Sequence, residues 1–185
     1  MAISDPIMRF HHTITLPRLQ LFQRRGRAAQ AWSQARQTFA THILGPHFEH
    51  LAREWTITSL AERMEIGWTG TTSVACREHG ISHQLDVASL APGDMPRTSS
   101  ARVALIGEAK CTNRPRDARD LARLEHIREL LGARAHDAHL AMFSRAGFHP
   151  DLMADAGNRR DLVLVTMDDM FNRNGSKRQG HQDGG

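Results

Sequence analysis

Three residues of this 185-residue chain have the types and spacing that metal-assisted phosphoryl chemistry requires: Asp86, Glu108 and Lys110. Glu108 and Lys110 sit two apart in Leu105-Ile106-Gly107-Glu108-Ala109-Lys110. Alternate side chains of a strand share a face, so both point the way of Ile106. The preceding Val103 to Ile106 is apolar enough for a central strand, where an unpaired charge is costly. Asp86 interrupts a second apolar run, Leu85-Asp86-Val87-Ala88, so two strands each carry an acid inside an otherwise buried segment. Together they can hold a divalent cation. Mg²⁺, with Mn²⁺ as a substitute, favours one or two carboxylates plus waters and phosphate oxygens. Such an ion polarises a phosphodiester and lowers the pKa of an attacking water. Lys110 would then orient that water or neutralise developing charge. The plainer alternative is an ion pair between Glu108 and Lys110 near a strand end, with Asp86 at a turn or edge. Composition speaks against it, because only two lysines occur, Lys110 and Lys177, and every other such cation is Arg. A simple surface pair would be expected to use Arg, whereas a compact ammonium beside a metal is a task Arg performs poorly.

The elements that must position these residues follow from periodicity and turn chemistry. Ser4-Asp5-Pro6 caps and starts a short helix with Ile7, Met8 and Phe10, and Pro17 is expected to interrupt it before Leu19, Leu21 and Phe22. Ala29 to Phe39 suits another helix after the polar break Arg24-Arg25-Gly26-Arg27. Leu44, Phe48, Leu51 and Trp55 recur at helical intervals, so residues 41–55 predict a core-facing helix, with Gly45-Pro46 a late start or kink. Strands are expected over 67–74, 81–90 and 102–110, separated by turns at Gly80 and Ala91-Pro92-Gly93-Asp94. Helical spacing returns over 117–131 through Leu121, Leu124, Ile127 and Leu131, and ends at Gly132. Two short buried strands, 139–144 and 161–166, flank a helical turn or two over 150–157. The order α-β-β-β-α-β-α-β predicts an α/β fold with a mixed central sheet flanked by helices. Domains are expected as a helical N-terminal arm (1–40), a core (41–171) and a disordered tail (172–185), rich in Gly, Asn and Gln.

With those elements in place, Asp86 followed by Glu108-Ala109-Lys110 resembles the D…(D/E)-x-K signature of the PD-(D/E)XK nuclease superfamily. More narrowly, four segments resemble the domain at the C-terminus of archaeal-type P-loop ATPases, and the resemblance spans nearly residues 3 to 171. These are Ile3-Ser4-Asp5-Pro6 through Arg9-Phe10, Gly45-Pro46-His47-Phe48-Glu49 through Trp55, Leu85-Asp86-Val87, and Gly107-Glu108-Ala109-Lys110. The resemblance implies a restriction-endonuclease-like sheet and a Mg²⁺-dependent nuclease acting on DNA. Asp86, Glu108 and the Ala109 carbonyl would be metal ligands, Lys110 the group assisting water, and helix-borne Glu49 a further ligand. Glu49 lies off the apolar stripe and has Arg53 at i+4, so a salt bridge is the competing role. No G-x-x-x-x-G-K-[ST] sequence is present, so the chain is not itself a P-loop ATPase. It is expected to be a standalone or truncated version, with an ATPase partner or self-association in place of the fused module. The rival function is a non-catalytic accessory domain that docks an ATPase or nucleic acid.

Composition bounds these readings. No apolar run is long enough to cross a bilayer, and the N-terminus lacks signal-peptide features, so a soluble cytoplasmic protein with no membrane partner is expected. Residues 1–40 carry six arginines against Asp5 alone, whereas residues 41–171 hold 15 basic and 18 acidic side chains. The cationic excess therefore sits in the arm. Arg114 and Arg116 are candidate nucleic-acid contacts just after the Glu108-x-Lys110 strand. With Arg119 and Arg123 interleaved among Asp117 and Asp120, they equally form a salt-bridged helix face. Cys76, His79 and His83 have zinc-like spacing, with His11 or His12 as possible completions, but lack the second close ligand pair of structural zinc sites. In a chain of twelve histidines, that grouping reads as chance. His42, His47 and His50 read as solvated helix residues, and nothing places a base beside Cys111 for thiol hydrolase chemistry.

Overall fold

The computed structural model describes residues 5–172, so the expected disordered tail lies outside the described residues apart from Asn172. The chain divides into two compact units, residues 1–50 and 51–185. This division falls later than the boundary near residue 40 suggested by charge and composition.

The first unit is helical. Asp5 caps α1 (Pro6–Phe10), its carboxylate accepting from Met8 N at 2.8 Å. A wide π turn over His11–Thr15 and a 3₁₀ turn over Leu16–Arg18 then lead into α2 (Leu19–Gln23), followed by α3 (Ala28–Phe39) and a second π turn over Ala40–Leu44. Both π turns end two residues before a proline, Thr15 before Pro17 and Leu44 before Pro46. Proline lacks an N–H and its ring crowds the carbonyl four residues back, and a turn widened to i→i+5 makes room for both. Pro17 therefore changes the helix type and does not interrupt the helical run. Ile14, Ala31, Ala35 and Ile43 are buried, and Phe39 meets Phe10 and Trp32 edge-on. Helix α4 (Gly45–Trp55) contains the division between the units.

The second unit is α/β. Strands β1 (Thr69–Cys76), β2 (Ile81–Leu90), β3 (Val103–Lys110), β4 (His139–Ser144) and β5 (Leu162–Thr166) form one sheet in the order β1-β2-β3-β4-β5. The first three pair antiparallel and the last three parallel. A tight hairpin suffices for β1–β2, with Gly80 at φ +62°. The parallel pairs need helical crossovers, supplied by α5 (Ala118–Leu131) and α6 (Pro150–Gly157). Leu121, Leu124, Ile127 and Leu152 from these helices join Val74, Leu85, Ile106, Leu140 and Met142 in one apolar cluster. Trp55 packs edge-on against Phe143 at a centroid distance of 6.0 Å. A short α7 (Met167–Phe171), held by a Thr166/Asp169 capping box, follows the last strand. Among the described residues no helix is long and apolar enough to cross a membrane.

Candidate functional site

Asp86 stands opposite Glu108 across β2 and β3, beside an irregularity in the pairing of β2 with β1. Gly70 pairs with Ala88, but Thr72 pairs with Leu85, so β2 has one residue more than β1 between these points. Such a bulge re-aims the side chains around it. Strict alternation would put Leu85 on the face opposite Asp86 and Ala88, and the bulge lets Leu85 join Ile106 in the apolar cluster. Beyond the bulge, Val87 pairs with Gly107 and Ala88 with Ile106, so Asp86 adjoins Glu108 on the Ile106 face. One ammonium records the convergence: Lys110 Nζ lies 2.6 Å from Glu108 Oε1 and 3.6 Å from Asp86 Oδ2. Both carboxylates are buried, each 5% exposed, while Lys110 is about one-third exposed. The side chains are thus anchored inside and open to solvent through the lysine.

The polar contacts fix each group. Asp86 Oδ2 accepts from the Ala109 N–H at 2.9 Å, and the Asp86 carbonyl accepts from Arg53 at 2.9 Å. Glu108 Oε1 also pairs with Arg123, which reaches down from α5. Burial works to raise the Glu108 pKa, but Lys110 and Arg123 outweigh it and hold the carboxyl below its ordinary value. Two acids therefore face two cations. These contacts fall on Asp86 Oδ2 and Glu108 Oε1. The backbone N–H and C=O of a strand residue point to the same edge, so the Ala109 carbonyl faces the side of Asp86, beyond the last β2–β3 pair. The donor set is hard oxygen and fits Mg²⁺ or Mn²⁺.

Glu49 is half-buried on α4 and belongs to the first unit, and Asp86, Glu108, Ala109 and Lys110 belong to the second. Arg116 is 8% exposed, pairs with Asp120, and holds the chain before α5 against Phe148 through backbone bonds to Gly147 and His149. A phosphate contact by the Arg116 side chain would require breaking its pair with Asp120. Arg114 is exposed and pairs with Asp117 at 2.8 Å and Asp120 at 3.3 Å. The salt-bridged helix-face reading describes both. Arg145 was not singled out from sequence. It is exposed at the carboxyl end of β4, with its N–H on the Lys110 carbonyl at 3.2 Å. Lys110 and Arg145 thus sit at the carboxyl ends of adjacent parallel strands, the edge where α/β sheets bind ligands. Burial pushes the Cys111 thiol up despite Arg145, away from the reactive thiolate.

Of a second cluster the sequence showed Cys76, His79 and His83, read there as a chance grouping with His11 or His12 as possible completions, but not the partner that the structure supplies, His126. Cys76 Sγ lies 3.1 Å from His79 Nδ1 and 3.5 Å from His126 Nε2. The rings of His79 and His83 each meet the His126 ring edge-on, with centroids 5.6 Å apart. His126 comes from α5, fifty residues beyond Cys76, so local spacing offered no sign of it. Burial, reinforced by Arg123, His126 and His79, holds His83 below its ordinary pKa.

No family model matches this chain, and no curated protein and no solved structure matches it. Fold and site define an α/β protein whose mixed five-stranded sheet carries two buried acids and a lysine at one point.

Proposed function

We propose that the second unit is a restriction-endonuclease-like domain that hydrolyses phosphodiester bonds of DNA with Mg²⁺, or Mn²⁺ in its place. The observation that carries this reading is the meeting of Asp86, Glu108 and Lys110 across β2 and β3. Asp86 and Glu108 would hold the ion, with the Ala109 carbonyl as a further ligand. When bound, the ion supplies Lewis-acid polarisation of the phosphate and acidification of a water. The Ala109 N–H locks the Asp86 carboxylate in one orientation. Lys110, tethered to Glu108 and partly exposed, offers a mobile positive charge to the incoming water and to the phosphorane oxygens as charge develops. Arg123 keeps Glu108 ionised and ready to act as a ligand. Arg145 and Arg114, both exposed beside the β3 exit, suit contacts to flanking phosphates.

A specific observation favours the alternative of a non-catalytic domain that docks an ATPase or nucleic acid: the two acids are already balanced by Lys110 and Arg123. Plasmid and single-stranded DNA incubated with Mg²⁺, Mn²⁺ or chelator separate the two. Divalent-dependent cleavage that disappears in Glu108→Gln supports the nuclease, while intact substrate under every condition supports the docking domain.

A further inference from the structure

Cys76, His79, His83 and His126 converge from four positions: the last residue of β1, the hairpin turn, β2 and α5. Donor atoms of Cys76, His83 and His126 all lie within 4.8 Å of one another. A tetrahedral zinc with bonds of about 2.3 Å to sulfur and about 2.0 Å to nitrogen sets its S···N separations near 3.5 Å. The contacts from Cys76 to His79 and His126, 3.1 and 3.5 Å, are already of that size. Hydrogen bonding alone does not satisfy the group. The single thiol proton serves one imidazole, and His126 can donate to the sulfur, yet His83 Nε2 remains buried with no partner in a side chain only 9% exposed. A buried imidazole nitrogen without a partner is costly. It lies among donor atoms that a cation would draw together.

We infer that Cys76, His83 and His126, completed by His79, form a binding site for one borderline-soft divalent ion, zinc foremost. Thiolate and imidazole select that class, whereas Mg²⁺ and Ca²⁺ favour oxygen. The site is therefore chemically distinct from the Asp86/Glu108 carboxylates and independent of the nuclease reading. Four protein ligands fill a tetrahedral sphere, so the ion is structural and leaves no position for a substrate. It ties the β1–β2 hairpin to α5. His126 is three residues from Arg123, the cation on Glu108, so the tie also fixes the helix register that places Arg123.

Titration of the full chain with Co²⁺ tests this directly. The expected result is one equivalent bound, with a near-ultraviolet thiolate-to-cobalt charge-transfer band that Zn²⁺ displaces. Cys76→Ser should abolish the band and Cys111→Ser should leave it. His126→Ala should weaken binding at least tenfold. His79→Ala, in an exposed turn and checked for folding by circular dichroism, should weaken it measurably even if Cys76→Ser fails to fold. The inference is overturned by a wild-type chain with no such band, by a band lost with Cys111 and retained without Cys76, or by affinity that follows Asp86→Asn. An unchanged affinity in folded His79→Ala would overturn the four-ligand sphere.

Discussion

Lys110 and Arg123 share Glu108, and this sharing decides what single substitutions reveal. Were Lys110 the sole partner, its removal would strand a buried carboxylate and confuse a catalytic defect with a stability defect. Because Arg123 stays on Glu108, Lys110→Ala should leave urea-unfolding stability nearly unchanged while cleavage falls by about a hundredfold, the usual scale for losing one positioned electrostatic group. Retention of wild-type cleavage in Lys110→Arg would remove the role assigned to the ammonium, since a planar guanidinium substitutes poorly beside a water. Removing both cations is different. Lys110→Ala with Arg123→Ala leaves Glu108 and Asp86 buried and uncompensated, a change expected to cost about 3–5 kcal/mol, far more than the two single changes together. Additive losses in that cycle would show that the two cations act separately on Glu108. Asp86, Glu108 and Lys110 were readable as charges inside apolar strand runs. Arg123 was legible only as one of several interleaved helix arginines, because its partner lies fifteen residues away on another element.

The central element is β3, which lies between β2 and β4 and is buried from Leu105 to Ala109. Its Gly107 separates Ile106 from Glu108 and lets the strands close in. A Cβ added there would stand 2.9 Å from the Ala141 carbonyl and 3.3 Å from the side chains of Ala141 and Val87. Backbone cannot yield as a side-chain tip can. Gly107→Ala should therefore destabilise the fold by about 1–3 kcal/mol, although alanine is the less flexible residue, and should loosen the β2–β3 junction that holds Asp86. Thermal unfolding checks the first part, and a melting temperature equal to or above wild type would contradict it. Helix α5 contributes through packing: Leu124 is fully buried in the apolar cluster, so Leu124→Ala should cost about 2–5 kcal/mol by chemical denaturation. The strand periods and the α5 stripe were plain in sequence, since alternation and 3.6-residue spacing are local properties. The extra residue in β2 was not, because a bulge is defined only against the partner strand.

At the scale of the second unit, acid sensitivity should be set largely by an ion network away from the site. Asp161 is held well below the ordinary carboxylate range by Arg159, with burial opposing and Arg128 assisting, and Arg159 also pairs with Glu125 at 2.6 Å. The folded state thus releases this proton more readily than the unfolded chain, whose carboxyl titrates near about 3.9. The stabilisation is complete above that value and is lost as the pH falls below it. Asp161→Asn should accordingly flatten the decline in urea stability on the acid side of about pH 4, and an unchanged slope would refute the assignment.

Sequence alone determined which segments become helices and strands, their order, and the acids and lysine embedded in apolar runs, because these depend on side-chain period, turn residues and local charge. Even the prolines carried their message, although tolerance of Pro17 and Pro46 came from π turns that periodicity does not report. Tertiary structure alone decided what met across the sheet: the register that sets Asp86 opposite Glu108, the claim of Arg123 on that acid, the burial of Arg116, and the arrival of His126 beside Cys76. Each is a relation between elements distant in the chain, set by register and packing, and such relations leave no periodic mark in the sequence.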